Sequence, residues 1–320
     1  MTQDSTDPAV QANHRSGTQT AVENLSPSKR RLILAHEQIV HQRPDRSDFL
    51  HTVMCQVGMP RRATDAKVFE RHSGPFSILL EAGKLWNGKD WIEQPLPYGT
   101  TPRLVMVHLS SEAIRTRSRT IELGSSVRQF LQSLGMQTNG GVRGGYTAFR
   151  KQMEALAACR LLIGMHSEGK VVTVDAKPIK RFEAWYQPDE LQPTLWPGVI
   201  ELSQDFYETL TQHAVPLDYR ALSALKHSSL ALDIYTWLAH RLCRINIQKG
   251  VVLSWDNLRD QFGQEYGDLK DFKHEFRSVL QQVLLVYPSA RIEEFMGGIK
   301  LLPSPPPITQ RTTHFLSSNT

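Results

Sequence analysis

The stretch Gly140-Gly-Val-Arg-Gly-Gly-Tyr-Thr-Ala-Phe-Arg-Lys151 predicts a tight turn that leads into a helix. Its glycines permit the turn, and Thr147 is the predicted N-cap, because its hydroxyl can accept a hydrogen bond from a backbone N–H of the first helical turn. A short helix is predicted just before this stretch, over residues 126–134, and strands just after the new helix, within residues 161–185. This order of elements is typical of a winged helix-turn-helix.

The same order of elements is predicted twice along the chain. In the first copy a helix over 102–117 and a short strand over 121–123 precede the helix-turn-helix. The wing strands are predicted at 161–166 and 170–174, with a third candidate strand at 182–185. The second copy is predicted from a helix at 229–245, a strand at 251–254, helices at 255–262 and 269–286, and strands at 290–294 and 299–302. The sequence therefore predicts an α+β fold with two tandem winged helix-turn-helix domains and a flexible N-terminal region.

Composition suggests where the domains begin and end. The first 25 residues are polar and contain few large apolar side chains, which predicts disorder, and a Ser-Pro-Pro-Pro run ends the apolar pattern near the other terminus. A length of 320 residues suits two domains. We predict a disordered tail over 1–25, an N-terminal helical region over 26–75, winged-helix domains over 76–190 and 191–306, and a second disordered tail over 307–320.

Positive charge is concentrated in the middle of the chain. The whole protein carries a net charge of +5. Residues 98–186 contain 13 Lys and Arg against 6 Asp and Glu, whereas residues 187–305 contain 11 against 15. A polyanion such as DNA would be attracted first to the middle segment.

The first helix-turn-helix offers candidate DNA contacts. With Phe149, Met153 and Leu156 facing inward, the opposite face of the helix carries cations near its N-terminus. Such residues meet base edges in the major groove, and neighbouring cations and hydroxyls suit phosphate contacts. The predicted base contacts are Thr147, Arg150 and Lys151, and the predicted phosphate contacts are Ser126, Arg128, Arg143 and Lys170. The alternative is a solvated helix face without a DNA role.

The second helix-turn-helix offers a parallel set of residues. With Phe272, Phe276, Val279 and Val283 facing inward, the outer face carries Lys270, His274, Arg277 and Gln281. The surrounding segment is acidic, which weakens the attraction of phosphates within a Debye length of about 8 Å. A structural or dimer-forming role of this domain is therefore the alternative to DNA binding.

Patterns that would indicate an enzyme are missing from the sequence. It contains neither a P-loop motif nor the His-x-His pair that metal-dependent nicking enzymes of rolling-circle replication generally need. The three cysteines are far apart and form no CxxC pair, so the sequence indicates neither a zinc site nor a disulfide framework. We expect no catalytic activity, no cofactor and no metal. An origin-nicking nuclease or relaxase is the rival class.

The N-terminus and the length of the apolar runs indicate where in the cell the protein is located. The polar N-terminus predicts no signal peptide, and no apolar run approaches the length of a membrane span. We therefore expect a cytoplasmic protein without a membrane partner.

Several motifs, in order over roughly residues 76–306, resemble the plasmid replication initiator family called RepA, in its C-terminal region. They are Leu96-Pro-Tyr-Gly-Thr-Thr-Pro-Arg-Leu104, Gly140-Gly-Val-Arg-Gly144 with Arg150-Lys-Gln-Met153, Leu230-Ala-Leu-Asp-Ile-Tyr-Thr-Trp-Leu238, Leu253-Ser-Trp255 with Gln261-Phe-Gly263, and Val286-Tyr-Pro-Ser-Ala-Arg-Ile292. The resemblance implies a protein that binds repeated double-stranded sites at a plasmid origin, helps to open adjacent DNA and brings in host replication factors such as a helicase or initiator. It also implies repression of its own gene, commonly as a homodimer. A winged-helix transcriptional repressor that acts only at a promoter is the alternative.

Overall fold

The computed structural model describes residues 25–124, 127–136, 145–167, 169–175, 177–185 and 196–308. Three predicted features lie outside these ranges: most of the N-terminal tail (1–24), the C-terminal tail from 309 onward and the glycine-rich turn at 140–144. The described chain contains both helices and antiparallel strands, so the predicted α+β class is confirmed.

Ten helices and fourteen strands are assigned in the described residues. The helices are α1 (Pro27–His41), α2 (Thr52–Gln56), α3 (Thr100–Thr116), α4 (Val127–Ser133), α5 (Gly145–Ala158), α6 (Gln204–His213), α7 (Tyr219–Leu225), α8 (Ser229–Arg241), α9 (Trp255–Phe262) and α10 (Leu269–Val286). The strands are β1 (Ser47–His51), β2 (Val68–Ser73), β3 (Phe76–Glu81), β4 (Lys84–Trp86), β5 (Trp91–Glu93), β6 (Thr120–Glu122), β7 (Arg160–Ser167), β8 (Lys170–Asp175), β9 (Ile179–Trp185), β10 (Trp196–Leu202), β11 (Ala214–Asp218), β12 (Val251–Ser254), β13 (Ile292–Phe295) and β14 (Gly298–Leu301).

Two units in the chain share one order of elements. The first unit runs α3, β6, α4, α5, β9 and β10, with β7 and β8 of another sheet inserted between α5 and β9, and its sheet has the strand order β6-β10-β9. The second unit runs α8, β12, α9, α10, β13 and β14, and its sheet has the strand order β12-β14-β13. In each unit the last strand therefore lies between the other two, with antiparallel pairing on both sides.

Aromatic and aliphatic side chains form the core of each unit. In the first unit the ring of Phe130 on α4 lies 5.7 Å from that of Phe149 on α5 and 4.9 Å from that of His108 on α3, measured between ring centroids. In the second unit the ring of Phe262 on α9 lies 5.7 Å from that of Phe276 on α10 and 5.2 Å from that of Trp237 on α8. These contacts bring the three helices of each unit together around buried rings, whose edge-to-face and tilted packing is favourable.

The strands predicted for the first wing fall into two sheets. Those predicted at 161–166 and 170–174 form as β7 and β8, which belong to a separate sheet with the order β2-β3-β7-β8, whereas the strand predicted at 182–185 forms as part of β9. The strands that complete the sheet of β6 are β9 and β10. A period of two in apolar residues predicts a strand and its buried face, whereas the partner of that strand depends on the tertiary fold.

Strand pairing also joins segments that the predicted domain boundaries separate. β9 and β10 pair across the boundary predicted at 190 and 191, and β2 and β3 pair across the one predicted at 75 and 76. β1, in the predicted N-terminal helical region, pairs with β11 in the predicted second domain. The division into domains stays a prediction.

The N-terminal region is part of the folded core from residue 25 onward. The Ser26 hydroxyl caps α1 by accepting a hydrogen bond from the backbone N–H of Lys29 at 3.5 Å, and α1 packs on α7 and α10. Leu32, Leu50 and Val53 are buried. The helix predicted at the start of the 26–75 region is therefore present, and the apolar side chains of this region have partners far along the chain.

Among the helices of the described ranges, none combines the length and the apolar composition that a bilayer crossing needs.

Candidate nucleic-acid interface

Helix α5 presents cations near its N-terminal end. Phe149, Met153 and Leu156 are buried, as predicted. Lys151 is exposed on the outer surface and Arg150 is half-buried beside it. The helix therefore has an apolar inner side and a cationic outer side within its first two turns.

The predicted N-cap of α5 was wrong. The helix begins at Gly145, two residues earlier than expected, so Thr147 lies within its first turn and is partly buried. Glycine and tyrosine are weaker helix formers than the residues that follow, but tertiary packing extends the helix through them, with Tyr146 against the core.

An ion pair on α5 lowers the effective charge of its cationic side. The Nε of Arg150 lies 3.6 Å from an oxygen of Glu154, one helical turn further on. Burial raises the pKa of Glu154, and the charges of Arg150 and Lys151 oppose that shift. Lys151 is therefore the more accessible of the two cations.

The other predicted contacts of the first unit are spread over several elements. Arg128 is exposed on α4, which packs on α5 through Phe130. Lys170 is exposed at the start of β8, an edge strand of the sheet β2-β3-β7-β8. Lys170 therefore lies on a different sheet from β6, whereas the sequence placed it on the wing of the first helix-turn-helix. Ser126 and Arg143 lie outside the described residues.

A second group of cations lies along β9 and escaped the sequence analysis. Lys177, Lys180 and Arg181 are exposed at the start of this strand. β9 is an edge strand of the sheet β6-β10-β9 and packs against α5. Three cations within five residues were visible in the sequence, but Lys170 was the only wing residue predicted as a contact.

The second unit has the predicted geometry on α10. Phe272, Phe276, Val279 and Val283 are buried, as predicted. Asp268 caps the helix by accepting a hydrogen bond from the backbone N–H of Asp271 at 2.7 Å. On the outer side of the helix the exposed residues include Lys270, His274 and Gln281.

Arg277, the remaining predicted contact on α10, is held by neighbours in its own unit. Its Nε donates a hydrogen bond to the carboxylate of Glu294 on β13. Its guanidinium carbon also lies 4.7 Å from the centroid of the Trp255 ring. The charge that the sequence assigned to a DNA contact is thus balanced inside the protein.

A buried ion pair connects the two units. The Nε and Nη2 of Arg103 on α3 donate to the two carboxylate oxygens of Asp233 on α8, at 2.7 and 2.9 Å. Arg103 also donates to the backbone carbonyls of Met59, Pro60 and Gly99 at 2.6 to 3.0 Å. Both side chains are buried, so the first helices of the two units are joined by a bidentate pair whose donors are satisfied.

The loop before β2 extends this ion pair into a network. Arg61 lies 3.5 Å from Asp233 and also contacts Glu265, which lies 3.1 Å from Arg71. Burial alone would raise the pKa of Glu265, but the charges of Arg61 and Arg71 outweigh it and hold that pKa below its ordinary value. The network therefore joins α3, α8, β2 and the loop between α9 and α10 in the folded core.

Within the part of the chain that the structure describes, no group of three or more His, Cys, Asp or Glu could hold a metal ion. Cys55 and Cys159 are buried, and burial raises the pKa of the Cys159 thiol to about 12.

This chain resembles two solved structures and one protein family. The chain is similar, at 11% identity and a TM-score of 0.48, to two crystal structures of domains 2 and 3 of RctB, covering 78% of this chain and 94% and 96% of theirs. No curated protein matches the chain. A model of the family described as plasmid encoded RepA protein matches residues 96–257, which is more than half of the chain and includes α3, α5 and α8. The chain belongs to this family of plasmid encoded RepA proteins.

Proposed function

We propose that this protein initiates plasmid replication by binding repeated duplex sites at the origin. The family match over residues 96–257 carries the proposal, since it covers the cationic helix α5 and the helices joined by the Arg103–Asp233 pair. Membership of a family of plasmid encoded RepA proteins supports a role in replication.

We further propose that each unit is a winged helix. The order of one helix, one strand, two helices and two strands, with the last strand central in the sheet, supports this assignment in both units. In the first unit α5 would then enter the major groove as the recognition helix. The β9–β10 hairpin would be the wing, with Lys177, Lys180 and Arg181 at phosphates.

The second unit has a different balance of charge. Glu294 pairs with Arg277, and Glu293 lies 3.3 Å from Lys300, so cations on this surface are already matched by carboxylates. We propose that the second unit contributes less to phosphate attraction than the first and serves as a scaffold or a homodimer surface.

An origin-binding initiator has expected partners, an expected location and an expected regulatory role. Host replication factors such as a helicase or initiator are the expected protein partners, and the cytoplasm is the expected location. Repression of its own gene would use the same duplex-binding surface. We propose that the protein has no catalytic activity and that DNA opening draws on binding energy.

Binding to origin DNA tests this function directly. We expect the full chain to bind a fragment that carries direct repeats beside its own gene more tightly than a fragment with the repeats scrambled, as measured by footprinting. Supercoiled origin DNA incubated with the protein and Mg²⁺ should stay closed. A nicked product would show a nuclease or relaxase instead, and equal binding to both fragments would contradict site-specific recognition.

The wing assignment has its own test. We expect Lys180→Ala to lower the log–log salt slope of repeat binding by about 0.9, the value for one lost phosphate contact. Lys170→Ala is the matched control, because it removes an equally exposed lysine from the sheet β2-β3-β7-β8. If Lys170→Ala changes the slope and Lys180→Ala does not, then β7 and β8 form the DNA-contacting hairpin and the assignment to β9 is wrong.

A further inference from the structure

The β4–β5 hairpin exposes two tryptophans. Trp86 and Trp91 are 52% and 64% exposed, whereas Trp237 and Trp255 are buried. Trp86 and Trp91 lie directly opposite each other across the two strands, and their ring centroids are 5.7 Å apart. Ile92, paired with Leu85 on the other face of the hairpin, is 42% exposed. Large exposed aromatic side chains in one place indicate a binding surface.

The hairpin holds these rings in a defined position. Its turn is closed by the side chain of Asn87, which accepts hydrogen bonds from the backbone N–H groups of Lys89 and Asp90 at 2.8 and 2.7 Å. Gly88 adopts a left-handed φ of 100° in that turn, a conformation that glycine takes without strain. A surface presented in this way loses little conformational entropy when it binds.

The base of the hairpin lies against the candidate recognition helix. A Cβ added at Gly83 would lie 2.1 Å from the backbone oxygen of Ala158, the last residue of α5, so the two backbones are in close contact. Strand β4 packs on α5. The exposed rings are therefore continuous with the unit that carries the candidate DNA interface.

Charges around the rings favour an anionic partner. Lys84 and Lys89 are both exposed and flank the tryptophans, with Asp90 as the exposed acid of the turn. The carboxylate of Glu93 is 2.9 Å from the ammonium of Lys67, so this acid already has a counter-charge. A phosphate backbone that passes the hairpin would meet an excess of positive charge.

We propose that the β4–β5 hairpin binds single-stranded DNA by stacking a base on an outer face of Trp86 or Trp91. The two rings contact each other, so the base stacks outside the pair. In a duplex the faces of the bases are already stacked, which leaves them available to an indole only in a single strand. The surface has two large apolar side chains, whereas a stable protein interface buries about 800 Å² on each partner. This activity goes beyond the duplex binding proposed above and uses a different surface.

The test measures single-strand and duplex binding separately in the full chain. We expect oligothymidylate to quench the tryptophan fluorescence of the wild-type protein, and Trp91→Ala to weaken oligothymidylate binding about tenfold, the effect of one lost base–aromatic stack. Binding of Trp91→Ala to duplex repeats should be unchanged. Absence of oligothymidylate binding by the wild-type protein, with duplex binding intact, overturns this proposal alone. Failure of the wild-type protein to bind duplex repeats contradicts the proposed function instead.

Two further variants separate stacking from support of the hairpin, because cross-strand aromatic pairs also stabilise hairpins. Trp91→Phe keeps a flat ring and should retain most of the affinity, whereas Trp91→Leu keeps apolar bulk and should lose it. Equal affinities of these two variants overturn the stacking proposal. The alternative is that a second copy of the chain binds the hairpin, which sedimentation of Trp91→Ala tests. If the variant loses self-association but binds oligothymidylate as the wild-type protein does, the proposal is overturned.

Discussion

Asp233→Ala is expected to lower the free energy of unfolding by about 3–5 kcal/mol, because it leaves the guanidinium of Arg103 buried without its counter-charge. Arg61 loses a carboxylate in the same change. Asp233 also lies at the contact between α3 and α8, so the substitution weakens the packing of the two units against each other. Chemical denaturation of the full chain, followed by far-UV circular dichroism, measures the change.

Asp260→Ala is the control for this prediction. Asp260 is an exposed aspartate of α9 in the same unit, and its removal should change the stability by no more than about 0.5 kcal/mol. Equal costs of the two substitutions would show that the buried pair contributes nothing beyond an exposed carboxylate.

A double variant tests whether the cost arises from the unpaired charge. Arg103→Met combined with Asp233→Leu removes both buried charges and should recover part of the stability lost in Asp233→Ala. The recovery should be incomplete, because the carbonyls of Met59, Pro60 and Gly99 lose their donor. If the double variant is no more stable than Asp233→Ala, the loss of stability arises from the packing of the site and not from the unpaired charge.

The double variant Arg150→Ala with Lys151→Ala is expected to weaken binding to the origin repeat about 100-fold, since each cation at a base edge contributes about 1–3 kcal/mol of discrimination. The loss should be smaller on a scrambled sequence, because base contacts act only at the cognate site. Titration of labelled fragments at one fixed salt concentration measures both affinities.

Arg277→Ala is the matched control for the recognition helix. It removes a cation from the equivalent helix of the second unit, where Glu294 already balances that charge. We expect unchanged affinity for the repeat. If Arg277→Ala weakens binding while the α5 double variant binds as the wild-type protein does, then α10 is the recognition helix and the assignment to α5 is wrong.

Glu154→Gln separates the two roles of Arg150. The substitution removes the partner of Arg150 on α5 but keeps the size of the side chain, and it should leave the helix folded and slightly increase phosphate attraction. Weaker repeat binding by Glu154→Gln would mean that the ion pair positions Arg150 at the DNA.

Local patterns predicted the helices well. The apolar period of α10 placed Phe272 and Phe276 in the core, and the period of α5 did the same for Phe149, because a helix is organised by contacts between residues three or four apart. Charge distribution and the family motifs were likewise readable without coordinates. The start of α5 was predicted two residues late, since helix ends depend on what the last turn packs against.

The sequence alone determined the α+β class, the two-fold order of elements, the inner faces of the long helices and the family. Only the tertiary structure decided that β9 and β10, and not β7 and β8, complete the sheet of β6, that Arg103 and Asp233 form a buried pair, and that Trp86 and Trp91 remain exposed. The physical reason is the separation in sequence between the residues that contact each other. Periodicity reports contacts within one element, whereas strand partners, buried ion pairs and exposed rings depend on segments that are distant in sequence and meet only when the chain folds.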